Sequence, residues 1–297
     1  MNGTLDAVRA PETAATRGRA ADYVALAKPG ITVMVAITAA LGYFVAAAGA
    51  VDWLVMLHLV AGTLLSSGGA AALNMVLERR LDLRMERTRN RPIPSGRLGA
   101  GEAAAVGLVL SAAGLAWLVL GVNLLTASLS AATIAIYLFA YTPLKTVTSL
   151  CTIVGAVPGA LPPVMGWAAT GSLGPGAGAL FLILFFWQLP HFLALAWMYK
   201  DDYARGGFPM LPVQDPDGAA TGRQVVLQTL ALLVASVTPA LLGIAGDAYL
   251  AAALLLGTGF LGFGVAFAAS RTRERASRLF FSSIAYLPLL LAALALL

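Results

Sequence analysis

Asn74, Glu78 and Asp82 are spaced i, i+4, i+8. On an α-helix each such step advances only about 40°, so the three side chains share one face and their oxygens can converge on one cation. Oxygen ligands of this kind suit magnesium, a hard ion normally held by one or two carboxylates together with phosphates and water. Arg87, Arg89 and Arg91 come next, then the turn Pro92-Ile-Pro94-Ser-Gly-Arg97. Guanidinium groups pair bidentately with phosphate oxygens. Carboxamide and carboxylates first, clustered arginines next and a rigid proline turn last together point to metal-assisted work on a phosphorylated substrate. A loop that only marks one side of a membrane would explain the arginines, but not that order.

A second segment repeats the order: Tyr199-Lys200-Asp201-Asp202-Tyr203-Ala-Arg205, with Pro209 and Pro212 behind it. Acidic residues, a base and a proline pair recur, which predicts a weak internal repeat whose two loops face each other across a pocket. Asp201 and Asp202 are either part of that pocket or solvated loop carboxylates. Lys145, in Tyr141-Thr-Pro143-Leu-Lys145, is either its third corner or a marker of topology. His191 comes directly after Pro190 inside an apolar run and needs a partner there. That partner is a neighbouring helix, or the imidazole serves as an axial ligand to haem iron or as a proton-transfer group. His58, with no polar neighbours in sequence, reads as structural. The run Gly155 to Trp167 holds Pro158, Pro162 and Pro163, which predicts a kinked helix beside a cavity or close helix packing.

The elements that position these residues can be read from composition. Of 297 residues, 59% are hydrophobic and 11% charged, which excludes an ordinary soluble domain. Runs long enough to cross ~30 Å of hydrocarbon are placed at Lys28–Ala48, Trp53–Leu77, Ala103–Leu120, Leu124–Tyr141 and Leu150–Ala169. Four more lie at Ala177–Tyr199, Val225–Ala245, Tyr249–Ser270 and Leu279–Leu297. The backbone must satisfy itself inside the bilayer, so the expected fold is all-α, a polytopic bundle of nine transmembrane helices. All 19 lysines and arginines fall before the first span, at its entry, or in alternate loops, while the loops between contain none. The positive-inside rule then puts the N-terminus in the cytoplasm and the C-terminus on the outer side of a bacterial plasma membrane. Residues 1–27 are expected as a cytoplasmic tail and 28–297 as one integral domain. The net charge of +5 reports this topology, and the dispersed basic residues carry no nucleic-acid motif. The single cysteine, Cys151, excludes an intramolecular disulfide and reads as a small core residue.

The chain resembles the UbiA-type intramembrane prenyltransferases over nearly its whole length, from Lys28-Pro29-Gly30 through the ninth span. The most specific stretches are Asn74 to Arg97, Tyr141 to Trp167 and Trp187 to Pro212. Thr88-Arg-Asn-Arg-Pro-Ile-Pro-Ser-Gly-Arg97 and the Pro190-His-Phe-x-Ala-Leu-Ala-Trp197 pattern are similar to the haem-farnesylating branch rather than the quinone-precursor enzymes. The resemblance implies the UbiA-type fold and transfer of a farnesyl group from farnesyl diphosphate to a vinyl group of haem B, with water adding, to give haem O. It also implies magnesium held through Asn74, Glu78, Asp82 and Asp202. Arg87, Arg91 and Lys145 would stand near the diphosphate, and Arg89, His191, Lys200, Asp201, Asp202, Tyr203 and Arg205 would contact substrate. Haem A synthase and cytochrome oxidase assembly factors are the implied partners. Two departures stand out: Glu78 occupies a position the family usually fills with aspartate, and the second loop lacks the Asp-x-x-x-Asp of many relatives.

Three other readings are open to the same residues. A prenyltransferase acting on an aromatic acid or quinone precursor would use the same diphosphate chemistry. A transporter would hold its polar groups near the midplane rather than at one end. An assembly protein without catalysis would not need the acidic face.

Overall fold

The computed structural model describes residues 18–297. Of the tail expected over residues 1–27, residues 1–17 lie outside the described residues. Within the rest of it lies a short helix, α1 (Arg19–Leu26). Asp22 in it is buried and accepts from Arg97 Nε at 2.9 Å. Leu26 packs with Met75, Ile93 and Leu98, so the end of the tail pins down the loop that carries the arginines.

The described residues form helices and connecting turns without strands, and nine helices are long and apolar enough to cross a membrane. In chain order the first are α2 (Pro29–Ala46), α3 (Trp53–Asp82), α4 (Ala100–Gly121) and α5 (Leu124–Ala135). α5 runs on through a π-helical turn, Ile136–Tyr141, into α6 (Thr142–Leu144). α7 (Cys151–Ala168) and α8 (Pro175–Met198) come next, then two short helices, α9 (Lys200–Gly206) and α10 (Leu211–Gln214). α11 (Ala219–Leu241), α12 (Asp247–Ser270) and α13 (Arg273–Leu296) complete the bundle.

Hydropathy located every span but not its polar end. α3 continues past Leu77 to Asp82, and α11 and α13 begin at Ala219 and Arg273, a turn or more before their apolar cores. At 1.5 Å per residue, α3 is about 45 Å long, against ~30 Å of hydrocarbon. Its last turns therefore stand in the interface, where charged residues are tolerated while backbone bonding continues. The segment after the sixth span was expected as a loop and is instead α9 and α10, separated at Gly207, whose φ of 77° ends α9 in the left-handed region.

The two halves share one neighbour order. α2 packs on α3, α3 on α4 and α4 on α5; α7 packs on α8, α8 on α11 and α11 on α12. α13 closes the bundle against α8, α12 and α2. The halves join where α2 meets α7, and here the proline-rich helix serves close packing. A Cβ on Gly42 would lie 2.1 Å from the Pro163 carbonyl oxygen, and one on Gly166 would lie 1.8 Å from that of Ala39. Any larger residue at either position would push the halves apart. α7 itself remains continuous over Cys151–Ala168 despite its three internal prolines.

The largest apolar core lies in the second half, around Leu180, Ile183, Leu232, Phe260 and Leu290. A smaller cluster at the basic end joins Met85 of the first charged loop to Cys151, Ala196, Tyr203, Phe208 and Met210. Cys151 is fully buried in it, with Sγ 3.8 Å from Met210 Sδ, the small core residue its sequence context suggested. That cluster welds the two charged segments to each other.

Candidate active site

The face predicted on α3 is present, and all three of its polar residues are buried: Asn74, Glu78 and Asp82. Each takes one cationic partner, and each partner arrives from a different element. Lys28 Nζ, at the junction of α1 and α2, donates to Asn74 Oδ1 at 2.8 Å. Lys145 Nζ, just after α6, donates to Glu78 Oε1 at 2.7 Å. Arg91 Nη1, from the loop before α4, donates to Asp82 Oδ2 at 2.8 Å. Burial of a lone carboxylate costs several kcal/mol, and pairing each one is what makes the face tenable.

Local structure aims these cations. The π-helical turn widens α5 just ahead of Lys145, a distortion that recurs at functional sites. Thr142 ties it off: its Oγ1 donates to the Tyr137 carbonyl at 2.8 Å and accepts from Asn74 Nδ2 at 3.1 Å. Lys145 Nζ then lies 4.5 Å from the centre of the Tyr141 ring. Burial alone would lower the Lys145 pKa, but Tyr141 and Glu78 outweigh it and raise it. Lys28 caps α2 at φ 48°, a left-handed conformation that strains any residue but glycine. Burial first, then Arg91 and Lys145, lower its pKa to about 7.

The second segment approaches the first but bonds differently. Asp202 is buried and accepts backbone N–H groups from the loop opposite, Glu86 at 2.8 Å and Arg87 at 3.3 Å, as well as Arg205 Nη2 at 2.9 Å. Burial would raise its carboxyl, yet these donors hold it below the usual carboxylate range. Arg87 lies over the rings of Tyr199 and Tyr203 and donates to Tyr203 Oη at 3.3 Å. Lys200 Nζ lies 5.0 Å from the centre of the Trp197 ring. Asp201 and Arg89 are exposed and make no side-chain hydrogen bond among the described residues. Thus Asn74, Glu78, Asp82, Arg91 and Lys145 are brought together, and Arg87, Asp202, Tyr203 and Arg205 form an adjoining clamp. Lys28 and Thr142 are the members that sequence reasoning missed. The signal for Lys28 was its place immediately before Pro29 at the mouth of the first span.

Whether this set fits a divalent cation depends on its free oxygens. No group of three or more His, Cys, Asp or Glu among the described residues is close enough to share an ion. Glu78 and Asp82, however, each spend one oxygen on a cation, and the other has no hydrogen-bond partner among the described residues. Two carboxylates and a carboxamide suffice for an ion that completes its shell with phosphates and water. The residues therefore fit such an ion as a co-ligand of an anionic substrate.

His191 lies deeper, between α8 and α13. Its ring stacks on Trp187 and Phe280, with centroids 5.0 and 4.6 Å away, and its Nδ1 is 2.7 Å from Ser283 Oγ. Ser283 Oγ donates to the Phe280 carbonyl at 2.5 Å, which leaves its oxygen able to accept from an Nδ1–H. Nε2 has no hydrogen-bond partner among the described residues. His58 lies tilted against Trp117, and its Nδ1 is buried without a partner among the described residues; it lies in the other end of α3 from the acidic face.

The sequence profile of the UbiA prenyltransferase family matches residues 35–287. A protoheme IX farnesyltransferase of Solibacter usitatus is 50% identical over 279 residues, covering 91% of this chain and 96% of the relative. Among solved structures, a digeranylgeranylglyceryl phosphate synthase superposes with a TM-score of 0.77 at 17% identity, covering 94% of this chain and 98% of the other. A UbiA homolog from Archaeoglobus fulgidus bound to GPP and Mg2+ gives a TM-score of 0.65 at 14% identity, covering 93% and 100%.

Proposed function

The chain belongs to the UbiA prenyltransferase family, and we propose that it is the enzyme that transfers a farnesyl group from farnesyl diphosphate to a vinyl group of haem B. Water adds in the same reaction, giving haem O and diphosphate. The observation that carries the reading is the buried row Asn74, Glu78 and Asp82, each already matched by a cation delivered from a separate element. Farnesyl transfer to haem, rather than to another acceptor, accords with the activity for which the Solibacter relative is named.

The chemistry fits that row. Breaking the C1–O bond of farnesyl diphosphate sends the electron pair to the diphosphate and leaves an allylic cation. Lys28, Lys145 and Arg91 can exchange their protein partners for diphosphate oxygens, and so stabilise the charge that grows as the bond breaks. When magnesium is bound, Asn74, Glu78 and Asp82 would hold it, and it would add Lewis-acid neutralisation of the leaving group; Asp202, expected from the resemblance as a further ligand, would stay outside its shell because both of its oxygens accept from Glu86, Arg87 and Arg205. The vinyl π electrons then form the new carbon–carbon bond, water closes the adjacent cation, and a proton is released. The apolar bundle below the row limits early capture of the allylic cation by bulk water. His191, with Nδ1 held by Ser283, would offer Nε2 to haem iron and so orient the substrate. Arg87, Lys200, Tyr203 and Arg205 would shape the mouth, with Arg89 and Asp201 facing incoming substrate.

The basic end of the bundle is the cytoplasmic side of a bacterial plasma membrane in this reading, and the C-terminus lies outside. Haem O would pass to a haem A synthase or an oxidase assembly factor. The test is turnover of purified protein in nanodiscs with farnesyl diphosphate, haem B and magnesium, then mass spectrometry of extracted haems. Haem O is expected from the wild type. Diphosphate release with an aromatic acid acceptor, and no haem O, would overturn the choice of substrate.

A further inference from the structure

Away from this site, the outward face of α11 carries two connected grooves. One, of about 460 Å³ at the basic end, is lined by Gly222, Arg223, Leu227, Ala268 and Arg271. The other, about 420 Å³, starts at the same Leu227 and runs past Leu230 and Val234 to Thr238, walled by Leu182 and Phe186 of α8. Arg223, Leu227, Leu230, Val234 and Thr238 are spaced i, i+4, i+7, i+11 and i+15, which keeps them on one stripe of the helix. Leu227, Leu230 and Val234 are 58%, 46% and 61% exposed, so the stripe is open along its length. At 1.5 Å per residue it descends roughly 22 Å, enough to cross one leaflet of the hydrocarbon.

The charge at its head is unmatched. Among the described residues neither the Arg223 nor the Arg271 guanidinium has a hydrogen-bond or ion-pair partner. The carboxylates nearest in sequence are otherwise engaged: Asp215 accepts from Thr221 N and Oγ1, Asp217 from Ala219 N, and Glu274 from Arg278. Arg271 also holds a left-handed φ of 50° at the end of α12, where glycine would sit without strain. Its side chain lies over Gly218, where a Cβ would meet Trp197 at 2.4 Å and Arg271 Cδ at 3.0 Å. Lys200, over the Trp197 ring, adds a further positive charge nearby. A cationic head on an apolar channel one leaflet deep is complementary to an amphiphile with an anionic head.

We propose that this groove binds an anionic diacyl phospholipid, its phosphate between Arg223 and Arg271 and one acyl chain along Leu227, Leu230 and Val234. Guanidinium forks match phosphate oxygens, and basic pockets between membrane helices select anionic headgroups. The inference does not depend on which prenyl acceptor the enzyme uses.

Native mass spectrometry of protein released from nanodiscs of mixed phosphatidylglycerol and phosphatidylcholine with identical chains tests it. The wild type is expected to retain phosphatidylglycerol about tenfold over phosphatidylcholine. R223Q/R271Q should bring the two to parity, R223K/R271K should keep part of the preference, and L227W/V234W should lower retention with both arginines intact. Unchanged turnover in detergent would show that each variant is folded. Parity in the wild type, or full preference in R223Q/R271Q, would overturn the proposal. So would glycerol phosphate competing as well as the lipid does, or farnesyl diphosphate displacing it at equal concentration.

Discussion

The two charged segments carry the same residue types in the same order, and the structure uses them in opposite ways. On α3 each polar side chain is met by one side-chain cation on a flexible arm: Lys28, Lys145 and Arg91. At α9, Asp202 is met chiefly by backbone, the N–H groups of Glu86 and Arg87. A lysine or arginine can turn from a carboxylate to a phosphate by rotating a few bonds, whereas a backbone N–H moves only if its loop moves. In the proposed reaction the first segment is an exchangeable set of cation contacts that substrate would reorganise. The second is a clasp that fixes the first loop against α9. The order of residue types recurs, but burial and partners differ between the two segments, and in the proposed reaction that difference assigns the chemistry to the first.

The largest expected effects test that division directly. Asp82→Asn should lower kcat for haem O formation by about 100- to 1,000-fold, the usual cost of losing an electrostatic contact made in the transition state. Asp202→Asn keeps acceptor oxygen toward the loop and should cost at most about tenfold, mainly as a higher KM for farnesyl diphosphate. Asp202→Ala removes the acceptor altogether, which should lower stability by about 1.5–3 kcal/mol, read as a lower Tm in detergent, before it lowers kcat. Equal losses of kcat at Asp82 and Asp202 would break the comparison and make Asp202 a member of the reacting centre.

Glu78→Asp is expected to have an intermediate effect. Glutamate stands where the motif it resembles usually has aspartate, and its longer arm reaches Lys145 at 2.7 Å across the bundle. Shortening it by one methylene should loosen that pair and raise the magnesium concentration needed for half-maximal turnover by about tenfold. Unchanged magnesium dependence would show that the arm length is not matched to Lys145.

Much of this was legible in the sequence for identifiable reasons. The nine spans announce themselves because a helix in lipid must be apolar along its length, and the acidic face because i, i+4, i+8 spacing is a property of one helix. Pairings between helices were not legible. Lys28 to Asn74 and Lys145 to Glu78 join elements far apart in the chain, and no local pattern encodes which cation reaches which acceptor. The Asp202 clasp was hidden for a different cause: its partners Glu86 and Arg87 contribute backbone N–H, which every residue but proline possesses. The packing role of Gly42 and Gly166 likewise becomes visible only when α2 and α7 are side by side.

The smallest expected effect is a pH dependence that belongs to one region alone. Burial, Arg91 and Lys145 lower Lys28 to about 7 in the substrate-free protein, so above that pH its amine is mostly neutral. A diphosphate beside it favours the charged form and raises its pKa. Binding then takes up a proton wherever the pH lies between the free and bound values, and affinity falls as pH rises through that window. KM for farnesyl diphosphate should therefore increase several-fold between pH 7 and 9, and Lys28→Gln should flatten the profile while retaining a donor for Asn74. Stability of the free protein runs the other way. The unfolded chain, with a lysine pKa near ~10.4, binds more protons above pH 7, so Tm should rise with pH over that range. Asp202, held below the usual carboxylate range, gives stability that is present above that range and lost only as pH falls through its lowered value. An exchangeable row that responds near neutrality, beside a clasp that responds only in acid, is the division that the two profiles would measure; the same slope in wild type and Lys28→Gln would remove Lys28 from the row.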